Sequence, residues 1–95
     1  MRSGILKSES QIQKEIIDYL KSINCYVVKI VRANAKGVPD IIACYKGVLI
    51  AIEVKAKGKK NNVTELQKLH LGMINASGGT AIVSDDVEEV MRVFK

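Results

Sequence analysis

Two apolar runs, Asp40 to Tyr45 and Val48 to Ala56, are separated by only Lys46 and Gly47. A two-residue connection between runs rich in β-branched residues predicts a tight antiparallel hairpin, and the turn sets its register. With Lys46 and Gly47 as the loop, Tyr45 faces Val48 and opposed residues have numbers that sum to 93. Asp40 then lies across from Glu53, their β-carbons about 4.5–5.5 Å apart. A loop of three or five residues would shift that register by one. Two carboxylates this close repel each other unless a cation lies between them or one keeps its proton. Strand side chains alternate, so Lys55 shares the face of Glu53 and Val54 points away. Hard divalent ions such as Mg²⁺ take carboxylate, water and substrate-phosphate oxygens. A lysine beside them can orient a water or stabilise charge developing on a phosphate. On its own, Glu53-Val54-Lys55 reads as an edge-strand charge pair; Asp40 opposite makes it a candidate site.

The rest of the chain frames this hairpin. Ser8 to about Ile23 predicts a helix: Ser8 and Gln11 form a capping-box pair, and Ile12, Ile16, Tyr19, Leu20 and Ile23 recur at helical spacing. Cys25 to Val31 reads as a strand, and Asn34 to Pro39 as a loop punctuated by Gly37 and Pro39. A polar loop from Gly58 to Asn62 leads to a second helix from Thr64. Its apolar face is expected to be Leu66, Leu69, Met73 and Ile74, and it stops near Gly78-Gly79. Thr80 to Val83 is a short strand and Asp85 to about Val93 a final helix. The order α-β-β-β-α-β-α implies an α/β fold, one mixed sheet with helices on its faces, over a single domain spanning 1–95.

A chain of 95 residues builds a thin core, which suits a partner subunit. Ile17 and Leu71 are the apolar residues expected to be available for such contact. The longest uncharged apolar stretch, Gly47 to Ile52, is far short of the roughly 20 residues of a membrane span. No apolar segment of signal-peptide length opens the chain, so a cytoplasmic protein without membrane association is expected. Cys25 and Cys44 lack metal-ligand spacing and are expected to be reduced and buried.

The net charge of +5 is unevenly spread. Lys29, Arg32, Lys36, Lys46, Lys55, Lys57, Lys59 and Lys60 fall in one window against only Asp40 and Glu53. A clustered basic surface suits a polyanion such as nucleic acid, because neutralising phosphates releases counterions. A solvated lysine-rich face is the plainer reading. Arg32, Lys36, Lys57, Lys59 and Lys60 flank the carboxylates and are the candidate phosphate contacts. Aromatic residues make up only 4%, which favours backbone and shape readout over base stacking.

Gly37-Val38-Pro39-Asp40, a hairpin, and then Glu53-Val54-Lys55 resemble the PD-(D/E)xK nuclease motif. Within that superfamily the spelling, with Gln67 on the following helix, most resembles the VRR-NUC family, and archaeal Holliday junction resolvases share a similar layout. The resemblance implies a restriction-endonuclease-like αβββαβ core with a short C-terminal helix, and metal-dependent hydrolysis of DNA phosphodiester bonds. It makes Asp40, Glu53 and the carbonyl of Val54 ligands for Mg²⁺ or Mn²⁺, and Lys55 the catalytic lysine. Glu15 matches the acid such nucleases often place on the first helix. It further implies a homodimer acting on branched DNA, Holliday junctions included.

Three side chains carry two readings each. Glu15 borders the apolar face of its helix and is either a site acid or a solvated partner for a lysine. Gln67 stands three residues after Thr64, so it can close a capping box or assist Lys55. His70, the one histidine, lies among apolar residues and reads as a packed or interface residue; it has no second histidine to complete a zinc set. For the whole chain the rivals are a nucleic-acid-binding module without catalysis and a nuclease subunit active only within a replication or repair complex.

Overall fold

The computed structural model describes residues 6–94. The elements are α1 (Glu9–Ser22), β1 (Tyr26–Lys29), β2 (Ile41–Tyr45), β3 (Val48–Val54), α2 (Glu65–Ala76), β4 (Thr80–Ser84) and α3 (Val87–Val93). Their order is the expected one, although the strands are shorter than the apolar runs: β1 ends at Lys29 and β3 at Val54.

The sheet order is β1-β2-β3-β4, with the first three strands antiparallel and β4 parallel to β3. Antiparallel neighbours need only tight turns, whereas the parallel pair requires the crossover that α2 supplies. Lys46 and Gly47 both have positive φ, 50° and 84°, the twist that suits a two-residue hairpin. Tyr45 pairs with Val48 and Ile41 with Ile52, so the register is the one the turn implies.

Alternation along these strands sorts the side chains onto two faces. Ile41, Ala43, Ile50, Ile52 and Val54 face Ile12, Ile16 and Leu20 of α1 and Val90 of α3 in one buried cluster. Burying each large aliphatic side chain contributes about 1.5–3 kcal/mol. Helix α1 meets that cluster through its apolar stripe, and its start is fixed by a capping box formed from both sides, Gln11 N–H to Ser8 Oγ and Ser8 N–H to Gln11 Oε1. Phe94, just past α3, stands edge-on to Tyr19 and Tyr45, with ring centroids 6.1 and 5.0 Å away. The opposite face of the sheet carries Ala51, Glu53 and Lys55, and α2 covers its β3–β4 side.

That second face departs from expectation. Leu71 of α2 is buried, while Leu66, Leu69 and Met73 are 47, 55 and 57% exposed. The sheet beneath α2 is only two strands wide, so the helix buries a narrow stripe and its remaining apolar residues face outward. Ile17, expected to be available for partner contact, packs partly buried against the core. Both cysteines are free, but only Cys25 is buried. Cys44 pairs with Tyr26 on the part of the sheet that α2 does not reach.

Gly37 and Gly47 both have positive φ, yet their surroundings differ. A β-carbon on Gly47 would meet no atom within 4 Å, whereas one on Gly37 would lie 2.8 Å from the Leu66 carbonyl carbon. Gly47→Ala should therefore cost about 1–2 kcal/mol of folding stability. Gly37→Ala should cost at least about 2 kcal/mol more, as it also forces backbone apart. Urea unfolding of the two variants checks this, and equal losses would contradict the close approach of Gly37 to α2.

Candidate active site

Asp40 sits just beyond the β2 ladder and stays in the hairpin geometry through two bonds. Its carbonyl accepts the Ile30 N–H at 2.7 Å, and its Oδ2 accepts the Val54 N–H at 2.8 Å. Pro39, fully buried, precedes it at a strand start where no ladder N–H is lost. Glu53 is buried, 3% exposed, because β3 lies inside the sheet and α2 covers it.

Burial first, and then the neighbouring Asp40, push the Glu53 carboxyl up to about 8. Lys55 opposes that rise, and Glu9 adds to it. One Glu53 oxygen, Oε2, accepts from Gln67 Nε2 at 3.1 Å. The other, Oε1, is buried and has no donor among the described residues; a hydrogen bond between Glu53 and Asp40, which needs a proton on one of the two acids, also raises the Glu53 carboxyl. A buried oxygen without a partner costs free energy unless something else meets it. Two convergent carboxylates with such an atom form an oxygen donor set that fits a hard divalent cation. Asp40 and Glu53 are the residues that would hold it; among the described residues no third His, Cys, Asp or Glu joins them in a ligand cluster.

Lys55 follows β3 directly, and its N–H bonds the Ser84 carbonyl at 2.9 Å, which carries its backbone one residue past the strand. Its Nζ donates to Gln67 Oε1 at 3.0 Å and lies 3.7 Å from Glu53 Oε2. Gln67 closes the capping box and also contacts Lys55. Its Oε1 also accepts the Thr64 N–H at 3.0 Å while its own N–H donates to Thr64 Oγ1 at 3.1 Å, a complete capping box. The cap turns the amide oxygen toward Thr64 and Lys55, which leaves the amide nitrogen for Glu53.

Glu15 is not brought to this group. It pairs with Lys7 at 2.7 Å and lines a cleft with Lys57, Asp85 and Asp86. Glu9 is the α1 acid whose charge reaches Glu53. Glu9 is exposed in the first turn of α1, so it acts only as a charge at a distance, and Gln13 is the polar residue that α1 buries.

The basic residues divide in two. Arg32 and Lys36 are exposed on the segment leading to Asp40. Lys57 and Lys60 instead turn to the start of α3. Lys57 Nζ bonds Asp86 Oδ2 at 3.1 Å, Lys60 Nζ bonds Glu89 Oε2, and the Gly58 N–H donates to Asp85 Oδ2 at 3.0 Å. Lys57 therefore does not share the face of Lys55, because β3 ends at Val54 and a turn at Ala56–Lys59 redirects the chain. Lys59 makes no ion pair with a described residue.

A cleft of about 560 Å³ lies elsewhere, between the hairpin tip and α2, lined by Val48, Leu49, His70, Met73 and Ile74 among others. His70 is thus partly packed among apolar groups, as its neighbours in sequence imply.

The raised Glu53 has a thermodynamic consequence. An acid whose folded pKa lies above its unfolded value binds a proton more tightly when folded. Its contribution is then lost as pH rises from about 4.5 toward 8. The metal-free protein should lose stability across that window. Glu53→Gln should flatten the slope and unfold later than the parent at pH 8, by about 1–3 kcal/mol. Mg²⁺ should raise the parent's melting temperature at pH 8 and leave the variant's unchanged. Thermal unfolding with and without the ion checks both.

The family model of archaeal Holliday junction resolvases (Hjc) matches residues 7–93. Among curated proteins, none matches the chain. The family match runs from just before α1 to the end of α3 and takes in the paired carboxylates, Lys55 and Gln67. With the mixed sheet and three helices arranged as that nuclease layout requires, the chain belongs to the archaeal Holliday junction resolvase family.

Proposed function

We propose that the chain is a metal-dependent endonuclease that hydrolyses phosphodiester bonds in branched DNA, Holliday junctions above all. The observation that carries this reading is the buried Glu53 carboxyl beside Asp40, whose Oε1 has no donor among the described residues, with Lys55 bonded to Gln67. Family membership supports a resolvase nuclease activity; the spelling of the motif residues further supports a VRR-NUC-like subtype. Mg²⁺ or Mn²⁺ held by Asp40, Glu53 and the Val54 carbonyl would lower the pKa of a bound water and offset charge on the phosphate.

The chain's own residues do the rest. Asp40 and Glu53 confine the charge to one point, and Glu9 deepens the negative field there. The Lys55 ammonium, held at Gln67 Oε1, orients a water or donates to a phosphate oxygen. Arg32, Lys36 and Lys59 supply phosphate contacts that position a duplex arm without reading its sequence. Three of the four aromatic rings, Tyr19, Tyr45 and Phe94, are packed together, so base stacking has little to work with.

The exposed Leu66, Leu69 and Met73 of α2, with Val48 and Leu49 across the cleft, form an apolar surface for a second copy. A twofold dimer would present two such sites to two strands.

Cleavage of end-labelled four-way junction, flap, single-stranded and linear duplex DNA tests the reading, with Mg²⁺, with Mn²⁺ and with EDTA. Metal-dependent cutting of the junction is expected. Asp40→Asn and Lys55→Met should each slow it by about 100-fold or more, and Glu53→Ala should abolish it while leaving junction binding in place. Metal-independent binding without any cutting would favour a binding module instead. Sedimentation should show a dimer that Leu69→Asp converts to a monomer.

A further inference from the structure

The β3–α2 loop carries three of the basic residues nearest the site, yet two of them are already neutralised from within the chain. Lys57 and Lys60 reach across to Asp86 and Glu89, 29 residues away in each case. Asp85 holds the same loop by the Gly58 N–H, and the Lys57 N–H bonds the Lys7 carbonyl at 3.2 Å. Both acids are themselves held in place. Asp86 caps α3 by accepting the Glu88 N–H through Oδ1 at 2.9 Å, and Glu89 Oε1 accepts from Ser84 Oγ at 3.1 Å. Each acid thus has one carboxylate oxygen anchored and presents the other to its lysine.

We propose that Asp86 and Glu89 act as internal phosphate substitutes that hold Lys57 and Lys60 off the DNA backbone and so limit how tightly this chain grips plain duplex. The proposal rests on the reading that the chain binds DNA. A lysine held by a carboxylate is not free to neutralise a phosphate and release the cations condensed on the DNA, so it adds little to the salt-dependent part of affinity. The grip then falls to Arg32, Lys36 and Lys59, which have no carboxylate against them among the described residues. Non-specific binding scales with the number of phosphates neutralised, so two lysines withheld lower duplex affinity without touching the paired carboxylates.

The test is duplex and four-way-junction binding in EDTA, from about 50 to 200 mM salt, by the parent and by D86N/E89Q. Both substitutions keep their anchoring acceptors, since Asn still caps a helix and Gln still accepts from Ser84. The double variant should bind duplex roughly tenfold tighter at the lower salt, with a log–log salt slope steeper by up to about 2. K57Q/K60Q in that background should return both values to the parent's. In the parent background K57Q/K60Q should change duplex affinity by less than about twofold. An unchanged slope in D86N/E89Q, weaker binding by it, or a large loss on K57Q/K60Q alone would each overturn the proposal. DNA binding by neither parent nor variant would overturn the nucleic-acid reading as well, whereas binding by the parent with an unchanged slope sinks the internal substitutes alone.

Discussion

The carbonyl oxygen of Gln67 accepts two donors, the Thr64 N–H and the Lys55 ammonium, and much of the molecule depends on that sharing. The first donor makes the oxygen part of a helix start; the second makes it part of a site. Capping and positioning therefore cannot be varied separately. A glutamate at this position would close the capping box as well as glutamine does, but it would set a third negative charge against Glu53. Only the amide offers an acceptor to Lys55 and a donor to Glu53 at once. The same helical turn is where Gly37 approaches the Leu66 backbone. The loop before Asp40, the strand bearing Glu53 and the lysine after it thus all converge on the start of α2.

Charge in this chain is arranged against stability at one place and in favour of it at another. Glu53 is placed in a buried setting beside a second carboxylate, and the fold tolerates it through the proton it retains and the amide of Gln67. That pattern, an ionisable group kept where the folded state would be better off without its charge, is common where chemistry is done. At the other pole, Lys57 and Lys60 lie beside Asp86 and Glu89 and tie the β3–α2 loop to α3. Exposed pairs of this type contribute little stability each, but they leave Lys59 as the lysine of that loop without a carboxylate partner among the described residues.

Much of this was legible in the sequence wherever the information was local. The Lys46-Gly47 turn specified the register, and with it the opposition of Asp40 and Glu53. Ser8 with Gln11 and Thr64 with Gln67 announced two helix starts, and both boxes are formed. What was not legible depended on partners distant in sequence. Nothing near Lys57 or Lys60 signals that Asp86 and Glu89 will fold onto them. The apolar spacing of α2 could not reveal that only two strands lie beneath it, which leaves Leu66, Leu69 and Met73 outside and buries Leu71. Cys44 alternates onto the uncovered part of the sheet for a related reason. Glu15 was a site candidate through the motif resemblance, while its place at the border of the apolar face fits the solvated lysine partner it is, paired with Lys7.

The two-residue turn at Lys46-Gly47 has a bearing on which changes in chain length this protein can accept. Surface loops ordinarily absorb an inserted residue at small entropic cost. Here one extra residue, if it slid β3 by a single step, would carry Glu53 to the face now holding Ile52 and Val54 and bring an aliphatic side chain toward Asp40. The buried cluster and the paired carboxylates would be lost together. A solvent-exposed turn far from the chemistry thus has as little freedom in its length as the carboxylates have in their identity.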